Sequence, residues 1–362
     1  MAAVKRGLTM IRKSFSIIPN RLKTTVSHKL VYSSYGDPAA VVTMETEELQ
    51  PPGPGKVLVQ MLAAPVNPAD INTIQGVYPV KPPLPSIPGN EGVGCIKEVG
   101  DGVKNLKVGD LVLPRENAWG TWRSFAVCDA KELMKVTGDL DVVAAATMSV
   151  NPCTAYRMLK DFVDLSPGDV VIQNGANSAC GQSVIQLCKA WGFKTVNIVR
   201  NRSDIDQLKN ELQELGADYV LTEEEVPKTT LFKDGLPKPK LGLNCVGGKN
   251  ALEMLRHLEK KGVMVTYGGM SREPVTIPTS ALIFKDLSIK GYWMTRWNKE
   301  NSGSANQAVM LTEISNLSKA GKWKPPTHEL MPLTRFKDVL EKAMAISGKT
   351  GRKYIFDFSQ AE

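Results

Sequence analysis

The stretch from Asp169 to Arg202, DVVIQNGANSACGQSVIQLCKAWGFKTVNIVRNR, decides the fold. It opens on a short apolar run, residues 169–173, and closes on a second one, residues 194–199, each with the length of a buried strand. Between them, residues 182–190 carry apolar side chains at helical spacing, and Gly192 ends that helix. Strand, turn, helix and strand form a βαβ unit, the frame that holds a dinucleotide pyrophosphate at a helix N-terminus.

The turn that joins the first strand to the helix, residues 174–181, is rich in small residues. Its glycine spacing departs from G-x-G-x-x-G, because Ser178 stands where a middle glycine is expected. The position of the turn between a strand and a helix favours a dinucleotide site over the alternative, an ordinary βα turn of an α/β protein.

The second strand runs into Arg200, Asn201 and Arg202, followed by Ser203. An NAD site usually has a carboxylate at this point for the ribose 2′-hydroxyl, whereas an NADP site has arginine for the 2′-phosphate. Two guanidinium groups suit a phosphate dianion, so the sequence predicts NADPH as the cofactor. Asp204 argues for NAD, but it lies past the strand end and could cap the next helix. The alternative is that both arginines are solvated loop charges.

At 362 residues, with 42% hydrophobic and 23% charged residues, the chain has ordinary globular composition and the length for two domains. Its formal net charge of +8 is concentrated at the N-terminus. Residues 1–30 contain no Asp or Glu and seven basic residues: Lys5, Arg6, Arg12, Lys13, Arg21, Lys23 and Lys29. Without those seven charges the +8 falls to +1 for the rest of the chain, which offers no basic surface for nucleic acid.

The acid-free N-terminal segment is also rich in Ser and Thr and is interspersed with single apolar residues. This composition is typical of a mitochondrial transit peptide, so we predict that residues 1–27 direct the chain to the mitochondrial matrix. The segment lacks the continuous apolar core of a secretory signal, and a disordered basic tail is the alternative. Elsewhere no apolar run approaches the length that spans a membrane.

The six cysteines are scattered without paired spacing, which favours free thiols in a reducing compartment. None of the three histidines lies close to a cysteine in sequence. We therefore expect neither a structural nor a catalytic zinc, and no other metal site.

The part of the chain before the βαβ unit is rich in predicted strands. Residues 30–35 and 56–63 are predicted as two of them, with apolar and polar side chains alternating at the start of the second. Residues 67–70, Asn-Pro-Ala-Asp, are typical of a cap before a short helix. Residues 75–88 hold too many prolines for regular structure, and they place Tyr78 on a rigid exposed loop of the kind that often carries function.

After the unit, predicted strands and helices alternate, which indicates a parallel sheet covered on both faces. The strands are predicted at 218–221, 241–247, 262–267 and 287–291, and the helices at 207–216 and 249–260. A closing strand at 352–357 returns the chain to its first part, so both ends build the β-rich domain. The predicted fold class is α/β, with a β-rich domain and a doubly wound parallel sheet.

Two glycine-rich segments carry a resemblance to a known superfamily. Residues 88–94 read PGNEGVG and residues 108–112 read VGDLV. Pro-Gly-x-Glu-Gly, then Val-Gly, then Val-Gly-Asp-x-Val is similar to the catalytic domain of the medium-chain dehydrogenase/reductase superfamily. The zinc alcohol dehydrogenases of that superfamily have histidine where this sequence has Asn90, so the resemblance is to the zinc-free reductases. Asn90 and Glu91 are interpreted as structural remnants of the zinc site's surroundings.

Further motifs narrow the resemblance to the mitochondrial trans-2-enoyl-thioester reductases. These motifs are NPADIN at 67–72, GVYP at 76–79, GTWR at 120–123, VNPCTAY at 150–156 and YGGM at 267–270. The resemblance spans about residues 28–360. It implies NADPH-dependent reduction of the double bond of 2-enoyl-CoA or 2-enoyl-acyl-carrier-protein in mitochondrial fatty acid synthesis.

The resemblance also implies the domain organisation. A GroES-like catalytic domain takes residues 28–155 and 297–362, and a Rossmann cofactor-binding domain takes residues 156–296. The family pairs its subunits through the last strand of the parallel sheet, so a homodimer is implied.

Site residues follow from the same resemblance. Tyr78 is the matched catalytic residue, since a tyrosine phenol keeps its proton at neutral pH and can donate to a developing enolate. Its alternative role is an aromatic packing plug between prolines. Asn151 precedes Pro152, which favours an extended backbone that aims its amide at the nicotinamide end. The implied cofactor contacts are Asn151, Asn177, Ser178, Ala179, Cys180, Arg200, Asn201, Arg202, Tyr267, Gly268, Gly269, Met270, Tyr292, Trp293, Met294, Thr295 and, by a looser match, Lys353.

The sequence is therefore compatible with three functions. The leading one is an NADPH-dependent enoyl-thioester reductase. The second is a quinone or enone reductase of the same zinc-free branch, with the same fold and cofactor. The third is an NADPH-binding interaction protein without turnover. Tyr78 on its loop and the N-terminal segment favour the first.

Overall fold

A computed structural model of the chain describes residues 24–136, 138–345 and 352–359. Residues 1–23 of the predicted transit peptide lie outside the described residues. The strands are β1 (Thr25–Tyr32), β2 (Val42–Leu49), β3 (Lys56–Pro65), β4 (Val93–Val99), β5 (Leu111–Pro114), β6 (Phe125–Asp129), β7 (Leu133–Lys135), β8 (Val170–Asn174), β9 (Lys194–Val199), β10 (Tyr219–Thr222), β11 (Leu241–Asn244), β12 (Val263–Thr266), β13 (Ser288–Gly291), β14 (His328–Pro332) and β15 (Lys353–Asp357).

The helices of the described residues are α1 (Pro38–Val41), α2 (Pro68–Ile74), α3 (Val142–Thr147), α4 (Asn151–Asp161), α5 (Ala179–Trp191), α6 (Ile205–Leu215), α7 (Gly248–His257), α8 (Thr279–Lys285), α9 (Met294–Asn301), α10 (Ala305–Lys319) and α11 (Phe336–Met344). None of them is long and apolar enough to cross a membrane.

One sheet consists of six parallel strands in the order β10-β9-β8-β11-β12-β13. Because all neighbouring strands in it are parallel, their carboxyl ends share one edge. The chain passes from β8 outward to β9 and β10, and then returns to β11 on the other side of β8. In open sheets of this kind ligands bind beside that reversal, at the carboxyl ends of the strands.

Apolar residues on alternate sides of β8 anchor helices to both faces of this sheet. Val171 is buried in one cluster with Val184 and Leu187 of α5. Ile172, the next residue, is buried in another cluster with Met254 of α7. Each fully buried aliphatic side chain stabilises the fold by roughly 1.5–3 kcal/mol. A continuous apolar run is therefore what a strand between two helical layers requires.

A second sheet contains seven strands, in the order β14-β15-β3-β4-β5-β7, with β6 also paired to β3. In it, β3 pairs antiparallel with β4, β6 and β15. Ile355 of β15 pairs with Pro65 of β3, so segments from both ends of the chain build this sheet. The predicted fold class, a β-rich domain with a doubly wound parallel sheet, is confirmed.

The first strand differs from its predicted position. β1 covers Thr25–Tyr32 instead of residues 30–35, because its ladder with β2 continues through polar residues. Ser27 within it is fully buried, and its hydroxyl donates to Phe125 O at 2.8 Å. A buried, satisfied serine carries no apolar signal, so the pattern missed the start of the strand.

The helix of the βαβ unit also begins earlier than predicted. α5 starts at Ala179 instead of Gln182, because the Ser178 side chain accepts a hydrogen bond from Gly181 N at 3.1 Å and caps the helix. Its predicted end at Gly192 is correct.

Candidate active site

The turn between β8 and α5 packs closely against its neighbours in the fold. Gly175 has a φ of +59°, and a Cβ there would come within 2.5 Å of Cys245 Sγ. A Cβ at Gly181 would come within 2.6 Å of Ala176 O. Glycine at position 181 lets the first turn of α5 pack onto the loop before it, and glycine at position 175 leaves room for Cys245 after β11.

Four predicted cofactor contacts stand at the N-terminus of α5. Asn177, Ser178 and Ala179 are half-buried, and Cys180 is buried. The helix has 13 residues, and the unpaired N–H groups of its first turn attract phosphate. The geometry of this turn therefore fits the pyrophosphate of a dinucleotide.

Asparagine side chains join β8 to β11 where the strand order reverses. Asn174, the last residue of β8, donates from Nδ2 to Asn244 Oδ1 at 2.8 Å and to Asn250 Oδ1 at 2.9 Å. Asn174 Oδ1 accepts from Cys245 N at 2.8 Å. These bonds fix the loop after β11 against the glycine turn. The sequence patterns did not predict these bonds, although asparagine at the ends of two buried strands is a usable signal.

The predicted contacts to a 2′-phosphate follow β9. Arg200 and Asn201 are exposed, and Arg202 is half-buried. Arg202 Nε lies 2.9 Å from Asp204 Oδ1 without the alignment of a hydrogen bond. Asp204 precedes α6 but its side chain makes no capping hydrogen bond, so its predicted capping role is wrong. The neighbouring guanidinium attracts that carboxylate instead, which leaves Arg200 as the more accessible cation.

The segment after β12, Tyr267–Met270, reaches the same edge of the sheet. Its last two residues are exposed, whereas the Tyr267 hydroxyl is buried and has no hydrogen-bond partner of good geometry among the described residues. Burial raises the pKa of Tyr267 well above its ordinary value, and the thiols of Cys180 and Cys245 raise it further. This phenol therefore stays protonated, close to the thiols of Cys180 and Cys245.

The segment after β13 contacts the predicted catalytic residue. Trp293 Nε1 donates to Tyr78 Oη at 2.6 Å, and the two rings meet edge to face with centroids 5.8 Å apart. Thr295 Oγ1 lies 3.4 Å from the same oxygen. The fold thus brings Tyr78 together with two predicted cofactor contacts that are more than 200 residues away in sequence.

The hydrogen bond from Trp293 determines what Tyr78 can do. An indole N–H only donates, so it occupies a lone pair of the phenol oxygen and leaves the phenol proton for another acceptor. The Tyr78 backbone N donates to Asn72 O at 3.1 Å, which ties the proline-rich loop to α2. The arrangement can direct one proton to a ligand within reach of this oxygen.

The other two residues of the segment after β13 anchor it. Tyr292 Oη donates to Met294 Sδ at 3.0 Å, and the Tyr292 ring meets Phe162 edge to face. Burial raises the pKa of Tyr292 above its ordinary value, and Met294 is buried. These contacts fix the start of α9 and so orient Trp293 and Thr295.

Asn151 and Lys353 meet at the carboxamide of Asn67. Lys353 Nζ donates to Asn67 Oδ1 at 2.6 Å and to Val66 O at 3.3 Å. Asn151 Nδ2 donates to the same Oδ1 at 3.1 Å. Asn151 is the first residue of α4, so its predicted extended backbone is wrong. Pro152 is compatible with this helical start, because a proline in the first turn forfeits no intrahelical hydrogen bond.

Glu91 lies on the other side of Asn67 and is fully buried. Its Oε2 accepts from Asn67 Nδ2 at 2.9 Å. Its Oε1 accepts from Val150 N at 2.8 Å and from Ser149 Oγ at 3.3 Å. Burial raises the pKa of Glu91 and lowers the pKa of Lys353, while the attraction between their charges opposes both shifts. Glu91 therefore links Asn67 to the start of α4, two segments that lie far apart in sequence.

Asn90 occupies the place of the zinc-binding histidine of the zinc alcohol dehydrogenases, and its side chain is engaged on both ends. Asn90 Nδ2 donates to Asp70 Oδ1 at 2.6 Å, and Asn90 Oδ1 accepts from Ala118 N at 2.8 Å. Burial raises the pKa of Asp70 to about 6, although hydrogen bonds from Asn67 and Asn90 oppose this shift. The described residues contain no group of three or more His, Cys, Asp or Glu side chains that could hold a metal ion. That the chain binds no metal stays a prediction.

The predicted cofactor contacts that follow strands lie in order along one edge. Arg200–Arg202 follow β9 and Tyr292–Thr295 follow β13, with β8, β11 and β12 between them. At about 4.8 Å per strand, the two groups stand roughly 19 Å apart. This separation suits the two ends of an extended ligand, with the glycine turn between them.

Two family models match the chain. The alcohol dehydrogenase GroES-like domain matches residues 53–138, and the zinc-binding dehydrogenase matches residues 179–309. Together they cover more than half of the chain, on the β-rich sheet and on the parallel sheet respectively.

Individual proteins agree with these models. The chain is 51% identical over 343 residues to a Mus musculus protein named mitochondrial enoyl-acyl-carrier-protein reductase, a match that covers 94% of this chain and 90% of that protein. The solved Etr1p/NADP/crotonyl-CoA complex has a TM-score of 0.84 at 33% identity, over 92% of this chain and 100% of that one. The mitochondrial 2-enoyl thioester reductase Etr1p/Etr2p heterodimer from Candida tropicalis matches with the same TM-score, identity and coverage.

Proposed function

The chain belongs to the mitochondrial enoyl-acyl-carrier-protein reductases, and on that premise we propose how its residues reduce trans-2-enoyl thioesters with NADPH. Its activity is the NADPH-dependent reduction of the 2,3 double bond in mitochondrial fatty acid synthesis. The observation that carries the proposed site is the contact between Tyr78 and Trp293, at the carboxyl end of β13.

We assign the cofactor contacts along the edge of the parallel sheet. Arg200, Asn201 and Arg202 would hold the 2′-phosphate, and Asn177 to Cys180 would hold the pyrophosphate at the start of α5. The segments Tyr267–Met270 and Tyr292–Thr295 would hold the nicotinamide half, together with Asn151 and Lys353. The charge of the arginines, the glycine turn and the order of the strands support this orientation.

The protein must stabilise the negative charge that develops on the substrate, and it must deliver a proton. NADPH supplies the hydride that adds to C3 of the enoyl group. Negative charge then develops on C2 and on the thioester oxygen, and it needs a donor in place. Tyr78 transfers its phenol proton to C2, and the Trp293 N–H stabilises the charge that grows on the Tyr78 oxygen. Solvent returns the proton to Tyr78, so one hydride and one proton have been added across the double bond.

A comparison of substrates tests this function. Purified chain is assayed with NADPH and either crotonyl-CoA or a quinone, beside a titration of NADPH binding without substrate. The proposal expects turnover of crotonyl-CoA that exceeds turnover of the quinone. Preference for the quinone would favour the second function, and binding of NADPH without any turnover would favour the interaction protein.

We also propose the domain boundaries implied by the family, residues 28–155 with 297–362 and residues 156–296. The division of strands between the two sheets supports them, since β3 to β7, β14 and β15 form one sheet and β8 to β13 form the other. α4 crosses the boundary at residue 155, so a helix rather than a loop makes the first connection.

The N-terminal segment should be needed for import and not for catalysis. Deleting residues 1–23 removes six of the seven basic residues of the N-terminal segment and leaves β1, which begins at Thr25, complete. We expect unchanged kcat for crotonyl-CoA and loss of import into isolated mitochondria. A variant with the six basic residues of this segment replaced by glutamine keeps the full length of the chain, so it separates the effect of charge from the effect of shortening. Normal import of the truncated chain would refute the role of the segment.

A homodimer is proposed through the outer edge of β13. In the described residues β13 pairs only with β12, so its other edge is open. The adjacent helix α8 exposes three large apolar residues, with Leu282 44%, Ile283 65% and Phe284 75% accessible. An open strand edge beside an apolar surface suits a second copy of the chain. The Etr1p/Etr2p reductase of Candida tropicalis is a heterodimer, which supports pairing in this family.

Replacing Phe284 with glutamate should weaken the dimer. A charge placed in an apolar interface loses its hydration, so we expect the dissociation constant to rise by at least about tenfold. Sedimentation equilibrium measures it, with Val108→Glu as the control, because Val108 is 62% exposed on the turn between β4 and β5. An unaltered chain that is monomeric, or equal weakening in both variants, would contradict the proposed interface.

A further inference from the structure

The carboxamide of Asn67 has neighbours of opposite character on its two sides. Glu91, an acceptor, faces its Nδ2 at 2.9 Å. Lys353, which can only donate, and the donating amide of Asn151 face its Oδ1 at 2.6 and 3.1 Å. A carboxylate accepts only and an ammonium group donates only, so Asn67 has a single orientation that satisfies all of them. Asp70 fixes the backbone as well, because its Oδ2 accepts from Asn67 N at 2.7 Å.

Glu91 also fixes the start of α4. The N–H groups of a first helical turn have no partner within the helix, and Glu91 Oε1 satisfies that of Val150 at 2.8 Å. Asn151 follows directly as the first helical residue. One carboxylate therefore sets both the position of the Asn151 backbone and, through Asn67, the direction of its side-chain amide.

This direction leaves defined groups for a ligand. The Asn151 Nδ2 is engaged by Asn67, and within the described chain its Oδ1 accepts no hydrogen bond. Lys353 gives two of its three N–H groups to Asn67 and Val66. The Asn151 Oδ1 acceptor and the third N–H donor of Lys353 are thus left for a ligand. Contacts to Asn67 and Val66, which lie outside α4 and β15, set the directions of both groups.

We propose that Glu91 acts through Asn67 as a positioning pair, which directs Asn151 and Lys353 toward the nicotinamide end of NADPH. The inference rests on the proposed function, which assigns those two residues to the cofactor. It assigns a directional role to Asn67, and to Glu91 the same role in place of the structural remnant that the sequence suggested.

Glu91→Gln tests the direction of these bonds, since it keeps the size and shape of the side chain. If the new amide keeps its oxygen on Val150 N, its NH₂ group faces the NH₂ group of Asn67. Turning Asn67 over relieves that clash and puts donors against Lys353 and Asn151. Leaving one buried polar group unpaired in this way should weaken NADPH binding by about 5- to 150-fold, and lower kcat as well.

Adding Asn67→Asp to this variant should restore function. The aspartate accepts from the new glutamine on one side and from Lys353 and Asn151 on the other, so each hydrogen bond regains a donor and an acceptor. The total charge of the site is unchanged, and the double-mutant cycle isolates the coupling of the two positions. Glu98→Gln, the same chemical change on β4, is the control.

Three measurements are made on each variant: NADPH affinity by fluorescence titration, kcat with crotonyl-CoA, and melting temperature. Weak binding by Glu91→Gln, weak binding by Asn67→Asp and near-normal binding by the double variant support the proposal. Normal binding by Glu91→Gln overturns it. So does a double variant that binds no better than the singles or fails to fold, because it restores every hydrogen bond that the proposal invokes. The titration needs no turnover, so failure of the unaltered chain to reduce crotonyl-CoA is a separate result that counts against the proposed function alone.

Discussion

Replacing Tyr78 with phenylalanine is expected to lower turnover of crotonyl-CoA by about 10²–10⁴-fold, the range typical of general acid catalysis. The change keeps a ring in the edge-to-face contact with Trp293, whose centroids lie 5.8 Å apart. It removes only the oxygen that Trp293 Nε1 contacts at 2.6 Å and that would carry the proton. NADPH affinity and melting temperature should change little, because no assigned cofactor contact is lost. Steady-state kinetics, an NADPH titration and thermal unfolding measure the three quantities.

The matched control for this variant is Tyr35→Phe. Tyr35 is 39% exposed and its ring contacts Tyr32 at a centroid distance of 6.4 Å, so the control removes a hydroxyl outside the proposed site. A loss of only a few-fold in Tyr78→Phe would reduce Tyr78 to a residue that positions the thioester. A large drop in melting temperature would instead support the packing-plug role between the prolines.

Replacing both Arg200 and Arg202 with alanine is expected to remove the preference for NADPH over NADH. Each hydrogen bond to a charged group contributes about 1.5–3 kcal/mol, or about 10- to 150-fold in affinity per contact. Arg202 already pairs with Asp204 at 2.9 Å, so Arg200 should account for the larger part of the lost NADPH affinity. NADH has no 2′-phosphate, and its affinity should hardly change.

Fluorescence titrations with both cofactors measure this effect on the single and double variants. Arg256→Ala is the control, because Arg256 is an exposed arginine of α7 that pairs with Glu253. Equal weakening of NADPH and NADH in the double variant would show that the two arginines support the fold of the β9–α6 connection. That result would also remove the main argument for NADPH that the residues themselves provide.

Local patterns were enough to predict the parallel sheet and the glycine turn. A strand between two helical layers needs an apolar run, which Val170, Val171 and Ile172 of β8 provide, and Gly192 ends α5 in the left-handed conformation typical of a helix C-terminus. These requirements act between residues that are neighbours in sequence, so a single sequence shows them. The roles of Arg200 and Arg202 could be predicted for the same reason, because both residues closely follow a strand.

Contacts between distant segments could not be read in this way. Asn67 meets Lys353 across 286 residues, and Tyr78 meets Trp293 across 215. No spacing rule connects such positions, and family resemblance supplied Tyr78 and Lys353 without their partners. Glu91 is an example, because its hydrogen bonds to Asn67 and Val150 join it to segments 24 and 59 residues away in sequence.

Asn151 was predicted with the wrong backbone for a related reason. The residue before a proline is usually extended, and that local preference predicted an extended Asn151 that aims its amide at the nicotinamide end. Here Glu91 accepts the hydrogen bond of Val150 N and stabilises a helix that begins one residue before the proline. A buried tertiary contact therefore outweighed the local preference.

The central claim is that NADPH gives its hydride directly to C3 of the enoyl group, while C2 receives a proton that comes from solvent through Tyr78. Isotope transfer during a single reduction tests this claim most directly. Crotonyl-CoA is reduced with NADPH that carries deuterium at the transferred position, and separately with ordinary NADPH in D₂O. We predict butyryl-CoA with one deuterium on C3 in the first reaction and one on C2 in the second. Butyryl-CoA without deuterium on C3 in the first reaction would contradict direct hydride transfer to the enoyl group.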